Sequence, residues 1–331
     1  MGKALVTGGA GFIGSHVTRE LLDLGHEVVV LDDLSGGFRE NVDPRARIVV
    51  GSIVDEALVV DLFRAERFDC VYHLAAYAAE GLSHFIRRFN YDNNLIGSVT
   101  LINAAVNFAV RCFVYTSSIA VYGENQLPMH EGLVPQPEDP YGIAKLAVEQ
   151  DLKAAARLFG LPSVIFRPHN VYGEHQNIGD CYRNVLGIFM NQILQGQPMT
   201  IFGDGTQTRA FTYIGDIAPM IARAPAVPAA RGEVFNVGAD TPTTVNELAR
   251  VIARAFGVEP RIRYLPAREE VLHAFADHQK ARRVFDRPAQ TSLEEGVRRM
   301  AEWARRTGAR ASGPHKQPEI ARNLPPSWRA E

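Results

Sequence analysis

The chain has 331 residues, of which 46% are hydrophobic, and its formal net charge is −2. This length suffices for one large α/β domain plus a smaller lobe. The near-neutral charge, with no block of lysine or arginine, argues against a nucleic-acid or anionic-membrane surface. No apolar run approaches the ~20 residues that span a bilayer, and the N-terminus has the pattern of a strand rather than a signal peptide. We therefore expect a cytoplasmic protein without membrane segments.

The cysteines argue against a disulfide framework or a metal site. Cys70, Cys112 and Cys181 are scattered, odd in number and lack metal-ligand spacing. We expect reduced thiols and no bound metal. Cys70 and Cys112 lie in apolar runs and are expected in the core, whereas Cys181 lies in a polar stretch and is a candidate for a cleft.

A glycine-rich turn lies between the first predicted strand and the first predicted helix. Lys3–Thr7 is an apolar run suited to a buried strand, and Ser15–Leu24 has helical spacing that Gly25 can end. The intervening glycines allow the backbone to approach a pyrophosphate at the positive end of the helix. Strand, glycine turn and helix together predict a dinucleotide site. Its predicted cofactor-binding residues are Gly8, Gly11, Phe12, Ile13 and Gly14.

An acidic residue follows the second predicted strand, Glu27–Leu31. The carboxylate of Asp32 can accept hydrogen bonds from both ribose hydroxyls of an adenosine, and it repels a 2′-phosphate. The sequence therefore predicts NAD rather than NADP.

Strand and helix patterns alternate as far as about Phe166, which predicts a Rossmann-type, doubly wound parallel sheet with helices on both faces. Later segments predict a return to this sheet and a smaller C-terminal substrate-binding lobe. We assign 1–167 and about 211–238 to the NAD-binding domain, 168–210 and 239–315 to a nucleotide-sugar lobe, and 316–331 to a tail. Further predicted strands are Arg47–Val50, Asp69–Leu74, Arg111–Thr116, Ser163–Phe166, Phe211–Ile221 and Val234–Val237; the longest predicted helices are Ser83–Phe108, Tyr141–Phe159 and Thr241–Phe256.

A tyrosine and a lysine lie one helical turn apart at Tyr141 and Lys145. A free phenol has a pKa near ~10, and a neighbouring ammonium group stabilises its phenolate. Such a pair can take a proton from an alcohol while hydride leaves for a cofactor. Ser117 and Ser118 follow a predicted strand at the carboxyl edge of the sheet, where α/β enzymes bind ligands. A serine there can share the substrate hydroxyl's proton, although a helix cap or turn is the alternative.

These motifs occur in one register with several others, and together they resemble the extended short-chain dehydrogenase/reductase family in its nucleotide-sugar epimerase branch. The resemblance runs from Met1 to about Arg283. The motifs that carry it are Thr7–Gly14, Asp32, His73–Ala76, Ser117–Gly123, Tyr141–Lys145 and Arg167–Gly173.

The resemblance implies a role for individual positions. Tyr141 matches the catalytic base, Ser118 the serine that assists it, and Lys145 the lysine that also binds the nicotinamide ribose. Asn170 and Arg209 match contacts to the substrate diphosphate, for which a guanidinium is well suited. The other residues implied are Leu74, Ala75, Ala76 and Asn94 at the cofactor, and Ser117, Ser118 and Arg268 at the substrate. The family also implies a homodimer formed through the helices predicted at 83–108 and 141–159.

The residues after Ser118 favour one reaction within this branch. Related dehydratases are similar in having an Asp-Glu pair there, whereas this chain has Ile119 and Ala120. Without an acid/base pair, the site is limited to oxidising and re-reducing one carbon. We therefore predict NAD-dependent epimerisation of a nucleotide sugar, a UDP-sugar at C4, through a 4-keto sugar.

Some features leave alternatives open. Ser52, Ala78 and Ala210 depart from the family pattern and weaken the assignment of a specific sugar. Cys181 and the unusual Glu80–His84 stretch keep a C2- or C5-directed epimerase possible, and Ser83 is as well suited to starting a helix as to lining a sugar cleft. A net nucleotide-sugar oxidoreductase is a further alternative. A non-catalytic NAD-binding protein is disfavoured by the intact serine, tyrosine and lysine set.

Overall fold

The computed structural model describes residues 2–182, 184–267, 272–286, 290–311 and 317–325. Within these ranges the strands are β1 (Lys3–Thr7), β2 (Glu27–Asp32), β3 (Arg47–Val50), β4 (Cys70–His73), β5 (Cys112–Thr116), β6 (Ser163–Pro168), β7 (Val171–Tyr172), β8 (Met199–Phe202), β9 (Thr208–Ala210), β10 (Thr212–Tyr213), β11 (Val234–Val237), β12 (Pro242–Thr244), β13 (Ile262–Leu265) and β14 (His273–Ala274). The α-helices are α1 (Phe12–Asp23), α2 (Glu56–Glu66), α3 (Glu80–Ser83), α4 (Arg87–Tyr91), α5 (Gly97–Asn107), α6 (Pro140–Phe159), α7 (Val185–Leu194), α8 (Ala218–Arg223), α9 (Val245–Phe256), α10 (Gln279–Phe285) and α11 (Leu293–Thr307).

Seven parallel strands form the main sheet in the order β11-β6-β5-β4-β1-β2-β3. The chain builds outward from β1 through β2 and β3, and then crosses to β4 and continues on the other side. The strand order therefore reverses between β1 and β4, and in open α/β sheets the crevice beyond such a reversal is where ligands bind. The predicted Rossmann-type fold is confirmed.

The sheet has a hydrophobic core on each face, and alternate residues of each strand contribute to one or the other. Val6 and Phe166 belong to one buried cluster, whereas Leu5 and Ile165 belong to the second. Because both faces are covered by helices, central strands are continuously apolar rather than alternating. All five residues of β5, for example, are buried. Because these strands pair in parallel, the carboxyl ends of β1, β4, β5 and β6 lie at one edge of the sheet.

The return to the sheet predicted for Phe211–Ile221 is wrong. Thr212 and Tyr213 pair with β7 in a separate two-stranded sheet, and α8 follows almost at once. Ile214, Ile217, Ala218 and Ile221 are buried at helical spacing, so the second half of this apolar run is a 3₁₀ turn and the start of α8, which packs on α1. Val234–Val237 does join the sheet, as β11 beside β6.

The long helix predicted at Ser83–Phe108 is divided into α3, α4, a π-helical turn at Asp92–Ile96 and α5. No glycine or proline lies between Ser83 and Ile96, so the sequence carries no visible break signal. The break coincides with inward-facing amides, because Asn90 and Asn94 hydrogen-bond to neighbouring segments. A π-helical turn of this kind is often found at functional sites.

The helix predicted from Thr241 begins at Val245, because Thr244 is its N-cap and accepts a hydrogen bond from the Glu247 amide. Gly257 ends it in the left-handed conformation, as expected. None of the helices in the described ranges is long and apolar enough to cross a bilayer.

Candidate functional site

The glycine turn lies at the reversal point of the sheet and joins β1, α1 and the loop after β4. Gly8 has φ +73°, and a Cβ there would lie 2.7 Å from the Ala75 amide nitrogen. A Cβ on Gly14 would overlap with the Gly8 carbonyl oxygen, so α1 starts directly against the turn. Gly11 caps α1 and donates to the Gly8 oxygen at 3.1 Å. This cradle of bare backbone next to a helix N-terminus fits a dinucleotide pyrophosphate. Phe12 and Ile13 form the first turn of that helix.

Asp32 ends β2 and holds the glycine turn from the side. Its carboxylate accepts hydrogen bonds from the Ala10 amide at 2.9 Å and from the Leu34 amide at 2.8 Å. Burial raises the pKa of Asp32 above its ordinary value, and these backbone donors oppose that rise. Each carboxylate oxygen has a second lone pair, so the group retains acceptors for ribose hydroxyls.

Replacing Asp32 by alanine should weaken NADH binding and reduce the preference for NADH over NADPH, because both the ribose acceptor and the charge that repels a 2′-phosphate are lost. Fluorescence titration of the two cofactors measures both effects. Asp33→Ala is the matched control, since Asp33 is an exposed neighbour whose carboxylate bonds only to Ser35 among its described contacts. An unchanged NADH/NADPH ratio in Asp32→Ala would contradict the assignment.

Asn94 lies in the π-helical turn and holds the loop after β4. Its side-chain oxygen accepts from the Tyr77 amide at 2.8 Å, and its amide nitrogen donates to the Tyr77 carbonyl at 3.1 Å. The same nitrogen donates to Asn90, which in turn donates to the Pro140 carbonyl at the start of α6. Leu74, Ala75 and Ala76, the predicted cofactor contacts, lie in this loop. Asn94 therefore fixes the loop that borders the glycine turn.

His73 is a buried group for which the sequence predicted no role of its own. Its Nδ1 lies 2.8 Å from the Thr7 hydroxyl and its Nε2 lies 2.8 Å from the Ser98 hydroxyl. Ser98 donates its only hydroxyl proton to the Asn94 carbonyl, so Nε2 carries the imidazole proton and Nδ1 accepts from Thr7. Burial lowers the pKa of His73 to about 3, so the ring is neutral and ties the end of β4 to β1 and the π-helical turn.

The predicted catalytic residues converge at the ends of β5 and α6. Asp139 caps α6 by accepting from the Gly142 amide, and it thereby fixes the first turn that carries Tyr141. A Cβ on Gly142 would lie 2.6 Å from the Ala120 carbonyl oxygen, so this turn packs directly on the segment after Ser118. Tyr141 and Ser118 are both mostly buried. The Ser118 hydroxyl accepts from the Ala120 amide at 3.1 Å, so it caps a 3₁₀ turn at the predicted site.

Lys145 is buried beneath Tyr141. Its Nζ donates to the Thr116 carbonyl at 2.8 Å and lies 5.7 Å from the centre of the Tyr141 ring. Burial lowers the pKa of Lys145 to about 7, and the Glu149 carboxylate opposes this fall. The ammonium group is thus close enough to stabilise a phenolate on Tyr141.

Ser117 does not point toward an open cleft. Its hydroxyl donates to Glu149 at 2.5 Å, and Glu149 also accepts from Arg167 at 2.9 Å and 2.5 Å. Glu149 and Arg167 are both buried, and neither was predicted as a site residue. The sequence alone could have indicated Glu149, because this residue lies one helical turn after Lys145.

The predicted diphosphate contacts lie beyond β6 and on β9. Asn170 follows β6 with φ 43°, and its carbonyl accepts from the Thr212 amide at 3.0 Å. Arg209 lies on β9 and donates to the Thr208 and Leu272 carbonyls at 2.9 Å and 3.1 Å. Arg268, the other predicted contact, lies outside the described residues.

A histidine pair connects these segments. His169 Nε2 lies 2.9 Å from His278 Nε2, and His169 Nδ1 lies 3.1 Å from the carbonyl of Ala210, the residue after Arg209. His278 Nδ1 in turn lies 2.8 Å from the Asp240 carboxylate. The backbone that carries Asn170 and the backbone that carries Arg209 are therefore fixed to each other through His169, which lies in the Arg167–Gly173 motif but had no predicted role of its own.

The Glu80–His84 stretch packs against the start of α6. Ser83 ends α3 rather than beginning a helix, so the predicted helix start is wrong. Its hydroxyl donates to the Glu80 carbonyl at 2.6 Å and lies 3.3 Å from the Tyr141 amide nitrogen. The segment thus borders the predicted catalytic tyrosine. Cys181 is exposed, and Cys112 is buried as expected. The described residues contain no group of three or more His, Cys, Asp or Glu able to hold a metal ion.

Comparison with known proteins identifies the family. The model of the NAD dependent epimerase/dehydratase family matches residues 4–238. A putative UDP-glucose 4-epimerase of Methanocaldococcus jannaschii is 35% identical, with 90% of this chain and 97% of that protein covered. UDP-glucose 4-epimerase of Mycolicibacterium smegmatis is also 35% identical, with 92% and 98% covered.

A solved structure agrees with these relatives. The crystal structure of UDP-glucose 4-epimerase from Thermotoga maritima with UDP-glucose has a TM-score of 0.87 and 36% identity, over 92% of this chain and 99% of that one. The resemblance found in the sequence motifs is therefore confirmed. This chain belongs to the NAD dependent epimerase/dehydratase family.

Proposed function

We propose that this protein is an isomerase that uses NAD to epimerise a nucleotide-diphosphate sugar, a UDP-sugar at C4. The observation that carries the proposal is the convergence of Tyr141, Lys145 and Ser118 at the same edge of the sheet that carries the glycine turn. The relatives described above are named as UDP-glucose 4-epimerases and match almost the whole chain, which supports the same reaction here.

The residues beside Ser118 favour C4 chemistry over loss of water. Ile119 and Ala120 form the 3₁₀ turn after Ser118, and neither can act as an acid or base. Removing a proton from a sugar carbon and eliminating water would require such groups in reach of the sugar ring. A hydroxyl proton, by contrast, can be taken by Tyr141 alone.

In the proposed mechanism, the phenolate of Tyr141 takes the proton of the sugar 4-hydroxyl, and the hydroxyl of Ser118 hydrogen-bonds to the same oxygen. The ammonium group of Lys145 stabilises the phenolate. NAD, when bound, supplies the acceptor and later the donor of the hydride at C4. The 4-keto sugar then rotates, so that the opposite face of C4 is presented to the cofactor. Tyr141 returns the proton to the C4 oxygen as hydride is added to that face.

The diphosphate must stay anchored while the sugar turns. Asn170 and Arg209 are the proposed anchors, and the His169 contacts hold their two backbone segments together. We also propose the domain division given above, with the anchors in the C-terminal lobe and Tyr141 in the NAD-binding domain.

The proposed function is tested by incubating the purified protein with UDP-glucose, UDP-galactose, UDP-glucuronate, their N-acetyl forms, and GDP- and dTDP-sugars. NMR should detect a C4 epimer from at least one UDP-sugar without added reductant or net cofactor consumption. Accumulation of a reduced or keto sugar with stoichiometric cofactor turnover would instead support the oxidoreductase alternative. No conversion across the set would contradict the proposal.

The outer face of α5 and α6 supports a homodimer. A groove between these helices is lined by Ile102, Val106 and Leu158, and Leu158 and Phe159 are 75% and 62% exposed. Large apolar residues clustered on one exposed face are typical of an interface. We propose that two copies join through these helices. The three cysteines are scattered along the chain and odd in number, which fits a reducing compartment, and we propose that the protein acts in the cytoplasm.

Leu158→Asp should convert the proposed dimer to a monomer, because it places a charge in the apolar contact. Light scattering coupled to size-exclusion chromatography measures the mass directly. Val134→Asp is the matched control, since Val134 is 72% exposed and lies outside these helices. A wild-type monomer, or a Leu158→Asp variant that stays dimeric, would contradict the interface.

A further inference from the structure

Glu149 is a buried carboxylate to which the proposed mechanism gives no task. Its Oε1 accepts from the Ser117 hydroxyl at 2.5 Å and from Arg167 Nε at 2.9 Å, and its Oε2 accepts from Arg167 Nη2 at 2.5 Å. Glu149 and Arg167 are 0% and 3% exposed. A buried ion pair alone is weak grounds for stability, because desolvation offsets much of its attraction. Stability alone therefore does not account for a carboxylate at this position.

The position of Glu149 in the fold suggests that role. It lies on α6, one turn after Lys145 and two turns after Tyr141, so the three side chains share one face of the helix. Its partner Ser117 directly precedes Ser118 in the turn after β5. Its other partner, Arg167, lies near the end of β6, whose following loop carries Asn170. One carboxylate thus connects the three elements on which the proposed site is built.

The charges around Lys145 make Glu149 important for its protonation. His73 faces it from β4 and is neutral, Tyr115 lies under it from β5 at 4.9 Å, and Tyr141 lies above it. Arg167, from β6, is bound to Glu149 itself. Among these groups of the described chain, Glu149 is the one that carries a negative charge. Its charge raises the pKa of Lys145, whereas burial lowers it.

We propose that Glu149 is a positioning residue that keeps Lys145 cationic beneath Tyr141 and holds the Ser117–Ser118 turn against α6. This inference rests on the proposed function only in that it takes Tyr141 and Lys145 as the working pair. Ser117 then belongs to the support of the site, because its hydroxyl proton is already donated to Glu149.

The protonation of Lys145 can be measured directly, without substrate. Lysine side chains labelled with ¹³C are titrated by NMR, and Lys145→Arg identifies the Lys145 signal. Few signals compete, because the lysines of the chain are Lys3, Lys145, Lys153, Lys280 and Lys316. Glu149→Gln keeps the shape and removes the charge, so it should lower the Lys145 pKa by about one unit. Glu302→Gln, which removes one exposed negative charge on α11, should leave it unchanged.

The pH profile of turnover provides a second readout. The cationic fraction of Lys145 falls as the pH rises through its pKa, so a lower pKa moves the alkaline limb of kcat to lower pH. Glu149→Gln should shift that limb by the same amount as the NMR titration while KM changes little. A variant that had only lost stability would contain a smaller fraction of active protein, but the alkaline limb of its kcat profile would stay at the same pH.

Glu149→Gln leaves Arg167 unpaired in the interior and could fail to fold, so two further variants are included. Glu149→Gln/Arg167→Met removes both charges and should still lower the Lys145 pKa. Glu149→Asp keeps the charge and should hold the pKa near the wild-type value. An unchanged Lys145 pKa in either folded Gln variant would overturn the inference. Because the titration needs no sugar, this result is distinguishable from failure of the epimerase assignment.

Discussion

Tyr141→Phe should lower kcat by about 10²–10⁴-fold, because it removes the group that takes and returns the hydroxyl proton. The ring stays in place, since the rest of the first turn of α6 is held by the Asp139 cap and by contact with Ala120. Binding of NAD and of UDP should therefore remain close to wild type. Steady-state kinetics with the UDP-sugar found active, together with calorimetric binding of NAD, separates the two effects.

A suitable control is Tyr264→Phe. The Tyr264 hydroxyl bonds to Asn246 on an exposed surface, and its removal should leave kcat unchanged. If Tyr141→Phe kept near-normal turnover, the proton would have to be handled by another group, and the assignment of Tyr141 would be wrong.

Gly8→Ala should weaken NAD binding strongly. The new Cβ would lie 2.7 Å from the Ala75 amide nitrogen, so the turn would have to move away from the loop after β4. Because the backbone of this turn forms the proposed pyrophosphate cradle, we expect an increase in Kd for NADH of at least about tenfold, which corresponds to ~1.4 kcal/mol. Fluorescence titration with NADH gives the affinity, and thermal unfolding gives the accompanying loss of stability.

Gly232→Ala is a control for the loss of stability that backbone strain at a positive φ causes. Gly8 and Gly232 have φ values of +73° and +79°, but a Cβ on Gly232 meets no atom within 4 Å. The control therefore carries the same strain of a non-glycine residue at positive φ, a penalty on the order of 1 kcal/mol, with no overlap. Its NADH affinity should equal that of wild type. Equal loss of affinity in both variants would mean that lower overall stability, and not overlap within the glycine turn, explains the result.

The Rossmann sheet was predictable because its strands are marked by their own residues. β1, β3 and β11 coincide with the predicted bounds, since each is an apolar run between turn signals. The glycine turn was predictable for a different reason, because only glycine fits both its positive φ and its close contacts. Local rules therefore sufficed for the part of the fold that positions the cofactor.

Elements that depend on distant contacts were not predictable in the same way. The breaks between α3 and α5 accompany the amides of Asn90 and Asn94, whose partners lie 50 and 17 residues away in the chain, respectively. The apolar run at 211–221 suits a strand or a helix equally, and only its packing on α1 decides between them.

The candidate site shows the same difference between features set by local sequence and features set by distant contacts. Tyr141, Lys145 and Ser118 were predicted as site residues from short sequence motifs. Arg167 and His278, by contrast, bond to partners 18 and 109 residues away in the chain. Glu149 lay at a visible helical spacing from Lys145, but its importance depends on burial, which the sequence does not display. Arg167 in turn reaches Glu149 only when β6 lies beside β5.

The most direct test of the central claim is the fate of the hydrogen at C4. A UDP-sugar carrying deuterium at C4 is converted by the protein in ordinary water, and the product is analysed by NMR and mass spectrometry. Removal of the hydroxyl proton by Tyr141 with hydride return to the same carbon predicts the C4 epimer with its deuterium retained. Replacement of the deuterium by solvent hydrogen would contradict this claim. Incorporation of deuterium at C2 or C5, when the unlabelled sugar is converted in D₂O, would also contradict it.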